Sequence, residues 1–315
     1  MQPGRSCPLS YRYAPAGLAR APELAAETLY VIGGLYGNRP ALEWLEERAA
    51  QERGTVALAF NGDFNWFNAD AAGFRSVNEA VLRHTALRGN VETEIAGEDP
   101  AAGCGCGYPD FVGDAEVERS NRIMDKLRAS ARAFPELRQQ LGALPMHLVA
   151  VVGGVRVTIV HGDAVSLAGW GFSQEALRSD GGRNAARDWF GAANTRIFAS
   201  SHSCLPVMQE FDAPHGRCLL ANNGAAGMPN FEGTRYGLIT RIASEPARDA
   251  LYGSRLEGMH VEALPVPYDH AGFERDFLAN WPAGSAAYAS YYRRIVAGPS
   301  YRPRDALRLE ASATA

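Results

Sequence analysis

Thr55-Val-Ala-Leu-Ala-Phe60-Asn61-Gly62-Asp63 is the stretch on which the reading of this chain turns. Six β-branched or apolar residues make a buried strand, and the strand runs directly into a small polar group built around a glycine. The same arrangement recurs on either side of it. Thr28-Leu-Tyr-Val-Ile32 ends in Gly33-Gly34, and Ala86-Leu87 leads into Arg88-Gly89-Asn90. Between these runs the spacing turns helical. Pro40 stands where a first helical turn begins, followed by Leu42, Leu45 and Ala49. Phe74, Val77 and Val81 share one face of a helix expected from about 74 to 85, which takes in His84. Strands that alternate with helices and end in polar glycine turns predict an α/β sheet with its chemistry at the strands' C-terminal ends.

Further along, Gly103-Cys-Gly-Cys-Gly107 interrupts the rhythm. A long helix follows from Asp114, read as its N-cap, with a break near Pro135. From 146 the texture is mostly strands. A hairpin turns through Gly153-Gly154, and Val157-Thr-Ile-Val160 ends at His161-Gly162-Asp163. Thr195-Arg-Ile-Phe198 leads to Ser201-His202, Arg217-Cys-Leu-Leu220 ends at Asn222-Asn-Gly224, and Tyr236-Gly-Leu-Ile-Thr240 follows. There is no internal repeat. The tail from about 264 is rich in proline and aromatics, and Trp281, Tyr288 and Tyr291 are candidates to cap a cleft.

Composition bounds the function. At about 100–200 residues per domain, 315 residues make one large domain or two small ones. Hydrophobic residues at 46% and charged residues at 21% exclude wholesale disorder. Thirty-one basic against 35 acidic side chains leave −4, which argues against nucleic-acid binding through bulk charge. Five cysteines, an odd number, do not form a secreted disulfide scaffold. The most apolar stretch, 148–160, is too short to span a bilayer. No signal peptide is read at the N-terminus, so a soluble, cytoplasmic protein is expected.

Five strand ends thus carry compact polar groups: Gly34-Leu-Tyr-Gly-Asn38, Gly62-Asp63, Gly89-Asn90, His161-Gly162 and Ser201-His-Ser-Cys204. Glycine lets backbone turn sharply and approach a ligand, while Asp, Asn and His ligate divalent metals. Taken in this order, the five groups resemble the calcineurin-like metallophosphoesterase superfamily, whose pattern is D-x-H-G-N, G-D, G-N-H-[DE], a strand ending in His, and G-H-x-H. Asn222-Asn-Gly-Ala225 with Pro229 is similar to a segment of its bacterial members. The resemblance covers about 28–242 and implies a four-layer α/β/β/α sandwich with a metal site at one edge. The division expected is an extension over 1–27, the phosphoesterase-like domain over 28–262 and a C-terminal extension over 263–315.

The resemblance implies one metal site kept, with Asp63, Asn90, His161 and His202 as ligands of Mn, Fe or Zn, one per chain. The second site is altered, because Gly34, Tyr36 and Cys204 stand at the positions of its Asp and two His ligands. Val91 stands where the family has its general-acid histidine. The function implied is metal-dependent hydrolysis of a small-molecule phosphoester, with Tyr36, Asn38 and Asn90 as the residues meeting substrate. Arg39, Arg88 and Arg196 are further candidates to help hold a phosphate, Glu92 orients the site, and Asp163 either supports it or makes a turn. Cys204 is a possible additional ligand, and Cys104 and Cys106 are possible lid thiols. Two other readings stay open: a catalytically weak or inactive relative that binds a ligand or partner, and a thiol–metal chemistry using the cysteines.

Overall fold

The computed structural model describes residues 2–97, 100–213 and 215–308. Among them the strands are β1 (Leu24–Ala26), β2 (Thr28–Ile32), β3 (Val56–Asn61), β4 (Thr85–Leu87), β5 (His147–Val152), β6 (Val155–Val160), β7 (Ile197–Ser200), β8 (Val207–Ala213), β9 (Gly216–Asn222), β10 (Gly237–Ala243), β11 (Tyr252–Leu256), β12 (Met259–Val266) and β13 (Leu307–Arg308). The longer helices are α1 (Arg39–Ala49), α2 (Ala71–Val81), α3 (Asn90–Ala96), α4 (Asp114–Ala131), α5 (Pro135–Ala143), α6 (Asp180–Ala193), α7 (His270–Asn280) and α8 (Ala286–Ala297). One sheet has the order β11-β12-β10-β2-β3-β4, and the other β1-β5-β6-β7-β9-β8-β13.

Period-two alternation sorts the side chains into layers. Leu29, Val31 and Ala59 point toward the second sheet and pack with its Ile159, Ala199 and Leu219. Tyr30, Ile32, Leu58 and Phe60 point the other way, onto Leu42 and Leu45 of α1, Phe74 and Val77 of α2 and Leu127 of α4. On the outer face of the second sheet, Val160, Phe198 and Leu220 pack against Ala186 and Phe190 of α6. These are the four layers of an α/β/β/α sandwich. Burial on both faces is why β2 and β3 read as nearly continuous apolar runs. Phe60 is fully buried, and truncating such a side chain to alanine costs about 3–5 kcal/mol.

Several local expectations need correction. Helix α2 begins at Ala71, where Asp70 caps it by accepting from Gly73 N, and it stops at Val81. His84 therefore lies in the following turn, with Nε2 3.0 Å from Glu46 Oε1. Gly113, not Asp114, occupies the N-cap of α4; Asp114 is the first helical residue and pairs with Arg5. Helix α6 has no sequence signal because Gly181, Gly182 and Gly191 lower its propensity. It forms because Ala186, Phe190 and Ala193 seal the sheet and Ser179 caps it. The aromatic tail is largely two helices, α7 and α8, laid against the first sheet's outer layer. No helix among the described residues is long and apolar enough to cross a membrane.

Strands β2, β3 and β4 are mutually parallel, and so are β6, β7 and β9. Their C-terminal ends gather along one edge of the sandwich.

Candidate metal centre

Four side chains converge at that edge. Asp63 follows β3, Asn90 opens α3 just beyond β4, His161 follows β6, and His202 follows β7 by two residues. The backbone is shaped to allow this: Asp63 itself sits at φ 54°, in the left-handed region that non-glycine residues seldom occupy. The flanking glycines leave room for the ligands. A Cβ on Gly62 would stand 2.7 Å from His161 Nδ1, and one on Gly89 would stand 2.3 Å from Asp63 Oδ1.

His161 Nε2 lies 3.3 Å from Asp63 Oδ1, 3.1 Å from Asn90 Oδ1 and 3.1 Å from His202 Nδ1. A second ring of contacts decides which atom of each side chain faces inward. His161 Nδ1 donates to the carbonyl of Asn61 at 2.9 Å, and His202 Nε2 donates to the carbonyl of Cys106 at 2.9 Å. Asn90 Nδ2 donates to the carbonyl of Cys104 at 2.9 Å. A carbonyl can only accept, so each imidazole carries its proton outward and Asn90 turns its oxygen inward. Two bare ring nitrogens and two oxygens then face one another. They repel unless a proton or a cation sits among them.

The electrostatics agree. Burial, and then the neighbouring His161, pushes His202 down to about 4. His161 is also penalised by burial, but the Asp63 carboxylate outweighs this and raises it. Asp63 is lowered: burial opposes its charge, and His161 more than compensates. These directions favour positive charge beside Asp63, which a divalent cation would supply. The ligand atoms of Asp63, His161 and His202 all lie within 4.8 Å of one another. This nitrogen–oxygen donor set suits Mn²⁺, Fe²⁺ or Zn²⁺.

Glu92 fastens the frame. Its buried carboxylate accepts from Asp63 N at 2.7 Å, Gly89 N at 2.9 Å and Asn65 N at 3.2 Å, tying the two ligand-bearing turns together. Burial, followed by the charge of Asp63, raises it to about 7.

Across the cleft the chemistry is different. Gly34 has φ 64°, and a Cβ there would lie 2.9 Å from Tyr36 Cζ and 3.0 Å from its oxygen. The phenol ring thus occupies the space that a side chain at 34 would need. Tyr36 Oη is 3.0 Å from Cys204 Sγ, and both residues have positive φ. Burial raises the phenol well above its ordinary value and raises the thiol too, which favours the neutral form of each. Arg294 of α8 donates to the carbonyl of Cys204 at 2.6 Å and holds that turn in place.

Between the two sides lies a cavity of about 30 Å³, lined by Tyr36, Asp63, Trp66, Asn90, Val91, Cys106, Tyr108, Trp170, His202, Cys204 and Tyr291. That is room for little more than a water or two.

No sequence-family model and no curated protein sequence matches the chain. Solved structures do. A metallophosphoesterase from Sphaerobacter thermophilus superposes with a TM-score of 0.50 at 19% identity, over 87% of this chain and all of that one. A hypothetical protein from Pyrococcus horikoshii does so with a TM-score of 0.55 at 17% identity, over 88% of this chain and all of that one.

The chain has the metallophosphoesterase fold.

Within the metallophosphoesterase fold, the remaining candidates separate cleanly. Asn38 does not reach the cavity: it is fully buried as the N-cap of α1, with Oδ1 accepting from Ala41 N and Nδ2 donating to Gly227 O. Its amide is spent on structure, which removes it as a substrate contact. Arg88 donates to Gly142 O and Arg196 pairs with Glu257, both away from the cavity; Arg39 borders a neighbouring groove. Asp163 accepts from Val165 N, Ser166 N and Gly171 N, shaping the loop that carries Trp170. Of the tail aromatics among the described residues, only Tyr291 lines the cavity. Trp281 donates to Phe67 O and lies under Lys126, while Tyr288 stacks on Tyr292.

Cys104 and Cys106 do lie beside the centre, and all five cysteines are free. What this loop contributes is chiefly backbone, with Cys106 Sγ also accepting from Asn90 Nδ2 at 3.5 Å. The Cys106 carbonyl accepts from both His202 Nε2 and Trp170 Nε1, and the Cys104 carbonyl accepts from Asn90. The sequence displays the thiols but not the direction of these carbonyls. The available signal was the glycine at every second position: Gly103, Gly105 and Gly107 all have positive φ, a backbone that turns its carbonyls unusually. Trp170, whose ring meets His202 edge-on at 5.4 Å, carried no signal at all.

Proposed function

We propose that this protein is a metal-dependent hydrolase of a small phosphoester, working with one divalent transition metal, Mn, Fe or Zn, held by Asp63, Asn90, His161 and His202. The observation that carries the reading is the outward fixing of both imidazole protons, which leaves two bare nitrogens 3.1 Å apart beside two oxygens. The fold shared with a metallophosphoesterase supports it. When bound, such a metal polarises a substrate oxygen and lowers the pKa of a water.

The chain's own residues do the rest. The carbonyls of Asn61 and Cys106 hold the two ring protons away from the metal position, and Glu92 holds the two ligand turns at their spacing. Asn90 and Tyr36 border the cavity and are the residues a substrate would meet. Val91 borders it as well and can donate no proton, so general acid catalysis, usually about 10²–10⁴-fold, is missing from that place. Five free thiols fit a reducing, cytoplasmic setting.

The test is turnover of a panel of phosphomonoesters and phosphodiesters after loading with Mn²⁺, Fe²⁺ or Zn²⁺. Turnover that His161→Ala abolishes is the expected result, and no turnover with any metal would overturn the reading. A second reading, a ligand- or partner-binding relative without catalysis, is favoured by the Tyr36–Cys204 contact and by Val91. It predicts metal binding without turnover.

A further inference from the structure

We infer that Tyr11 is a positioning residue of the metal centre: from the segment ahead of β1 it braces the loop whose carbonyls aim Asn90 and His202. The inference rests on the metal reading above and adds to that centre a residue that does not line the cavity.

The segment from 4 to 13 lies across two loops that wall the cavity. Toward the loop after α3, Gly4 N donates to Ala102 O at 2.9 Å and Gly4 O accepts from Tyr108 N at 3.0 Å. Toward the loop after β6, Tyr11 O accepts from Leu167 N at 2.9 Å and Tyr13 N donates to Val165 O at 3.1 Å. The two loops meet at one atom, because the Cys106 carbonyl accepts from both Trp170 Nε1 and His202 Nε2. A segment bonded to both loops fixes their spacing, and with it the acceptor that sets the His202 ring.

Tyr11 turns inward from this segment. It is 1% exposed, it packs with Leu167 and Ala168, and its Oη donates to Glu94 Oε1 at 2.6 Å. Glu94 stands one turn after Asn90 on α3, so the two side chains share a face, and Arg128 of α4 holds its other oxygen. The phenol oxygen and this carboxylate close together on Gly105. A Cβ there would stand 2.5 Å from Tyr11 Oη and 3.2 Å from Glu94 Oε1. Gly105, at φ 67°, lies between the two carbonyls that matter: Cys104 O accepts from Asn90 Nδ2, and Cys106 O accepts from His202 Nε2. The hydroxyl thus seats the middle residue of a turn whose outer carbonyls orient two ligands. A phenylalanine at 11 would seal the same small core, so the hydroxyl is what separates positioning from packing.

The experiment compares the wild type with Tyr11→Phe. The control, Tyr30→Phe, removes a bond of the same kind, the 2.8 Å contact of Tyr30 Oη with Glu52 Oε1. In metal-free protein carrying ¹⁵N-labelled histidine, NMR follows the ring N–H protons of His202 and His161. In Tyr11→Phe the His202 Nε2 proton should exchange with solvent about tenfold faster or more, while the His161 proton, held by the Asn61 carbonyl, changes little. Titration with Co²⁺, followed by its visible absorption, should show altered bands and a Kd raised about 10–100-fold in Tyr11→Phe. Tyr30→Phe should move neither readout. Gly105→Ala sets its Cβ against the hydroxyl, so Tyr11→Phe added to that variant should weaken Co²⁺ binding by less than it does alone. Where the wild type binds Co²⁺, an unchanged exchange rate or an unchanged Kd in Tyr11→Phe would overturn the inference and leave the metal reading intact. Equal changes in Tyr30→Phe, or full additivity with Gly105→Ala, would overturn it too. A wild type that takes up no Co²⁺ while His202 exchange still responds to Tyr11→Phe would sink the metal reading and leave the bracing of that ring supported.

Discussion

On one side of the cleft, four polar side chains are aimed at a common point by backbone carbonyls and a buried carboxylate. On the other side, 34, 36 and 204 are occupied by a glycine, a tyrosine and a cysteine, and the tyrosine ring folds over the glycine to meet the thiol. The first side keeps polar groups in mutual repulsion that only a proton or cation relieves. The second satisfies its polar groups with each other. The same edge of one fold thus sets converging polar side chains on one side against a paired phenol and thiol on the other. Tyr36 packs over Gly34 and pairs with Cys204.

The largest effect that could break this comparison is loss of the metal itself. Removing a supporting contact commonly weakens metal binding by about 10–100-fold. Removing a ligand in Asp63→Ala should exceed that range and reduce turnover to background, as measured by equilibrium dialysis and activity together. Next in size is the converse experiment. The triple variant Gly34→Asp, Tyr36→His, Cys204→His removes the ring and supplies three ligands, and it should take up a second metal. Gly34→Asp alone should instead lower the thermal midpoint by an amount corresponding to about 1–3 kcal/mol, since its Cβ meets the Tyr36 ring and φ is positive. A second metal bound by the single variant would contradict the closed side.

Smaller effects sharpen the picture. Glu92→Gln keeps the shape but weakens the acceptor for three backbone N–H groups, and metal affinity should fall about 10–100-fold without loss of fold. At the bottom of the scale is the Cys-Gly-Cys loop. Gly105→Ala sets a Cβ 2.5 Å from Tyr11 Oη at φ 67°, so it should displace the loop and weaken the metal. Cys106→Ser should leave metal affinity unchanged, because the carbonyl, not the thiol, holds His202. A strong effect of that serine would return the thiol reading to favour.

The sequence made legible whatever depends on strand ends. Buried runs such as 55–60 and 28–32 must pair in a sheet, and a glycine with Asp, Asn or His at the end of each points to one edge. Asp63, Asn90, His161 and His202 could be picked out for that reason, and the structure brings them together. Asn38 misled because a strand-end asparagine caps a helix as readily as it faces a ligand, and position alone does not separate the two roles. The carbonyls of Asn61, Cys104 and Cys106 could not be read, since every residue has one and only the fold decides its direction. Helix α6 was hidden by its glycines, and Trp170 by sitting in a loop with no pattern. Tertiary packing sets these features, and no local signal carries them.

On the proposed reading, one side of the cleft binds a metal and the other does not. Elemental analysis of anaerobically purified protein, beside a His202→Ala variant, tests it most directly. About one transition-metal ion per chain is expected in the first sample and essentially none in the second. Two ions per chain would show that Tyr36 and Cys204 do not close the second site, and none in either sample would contradict the reading of the four converging ligands.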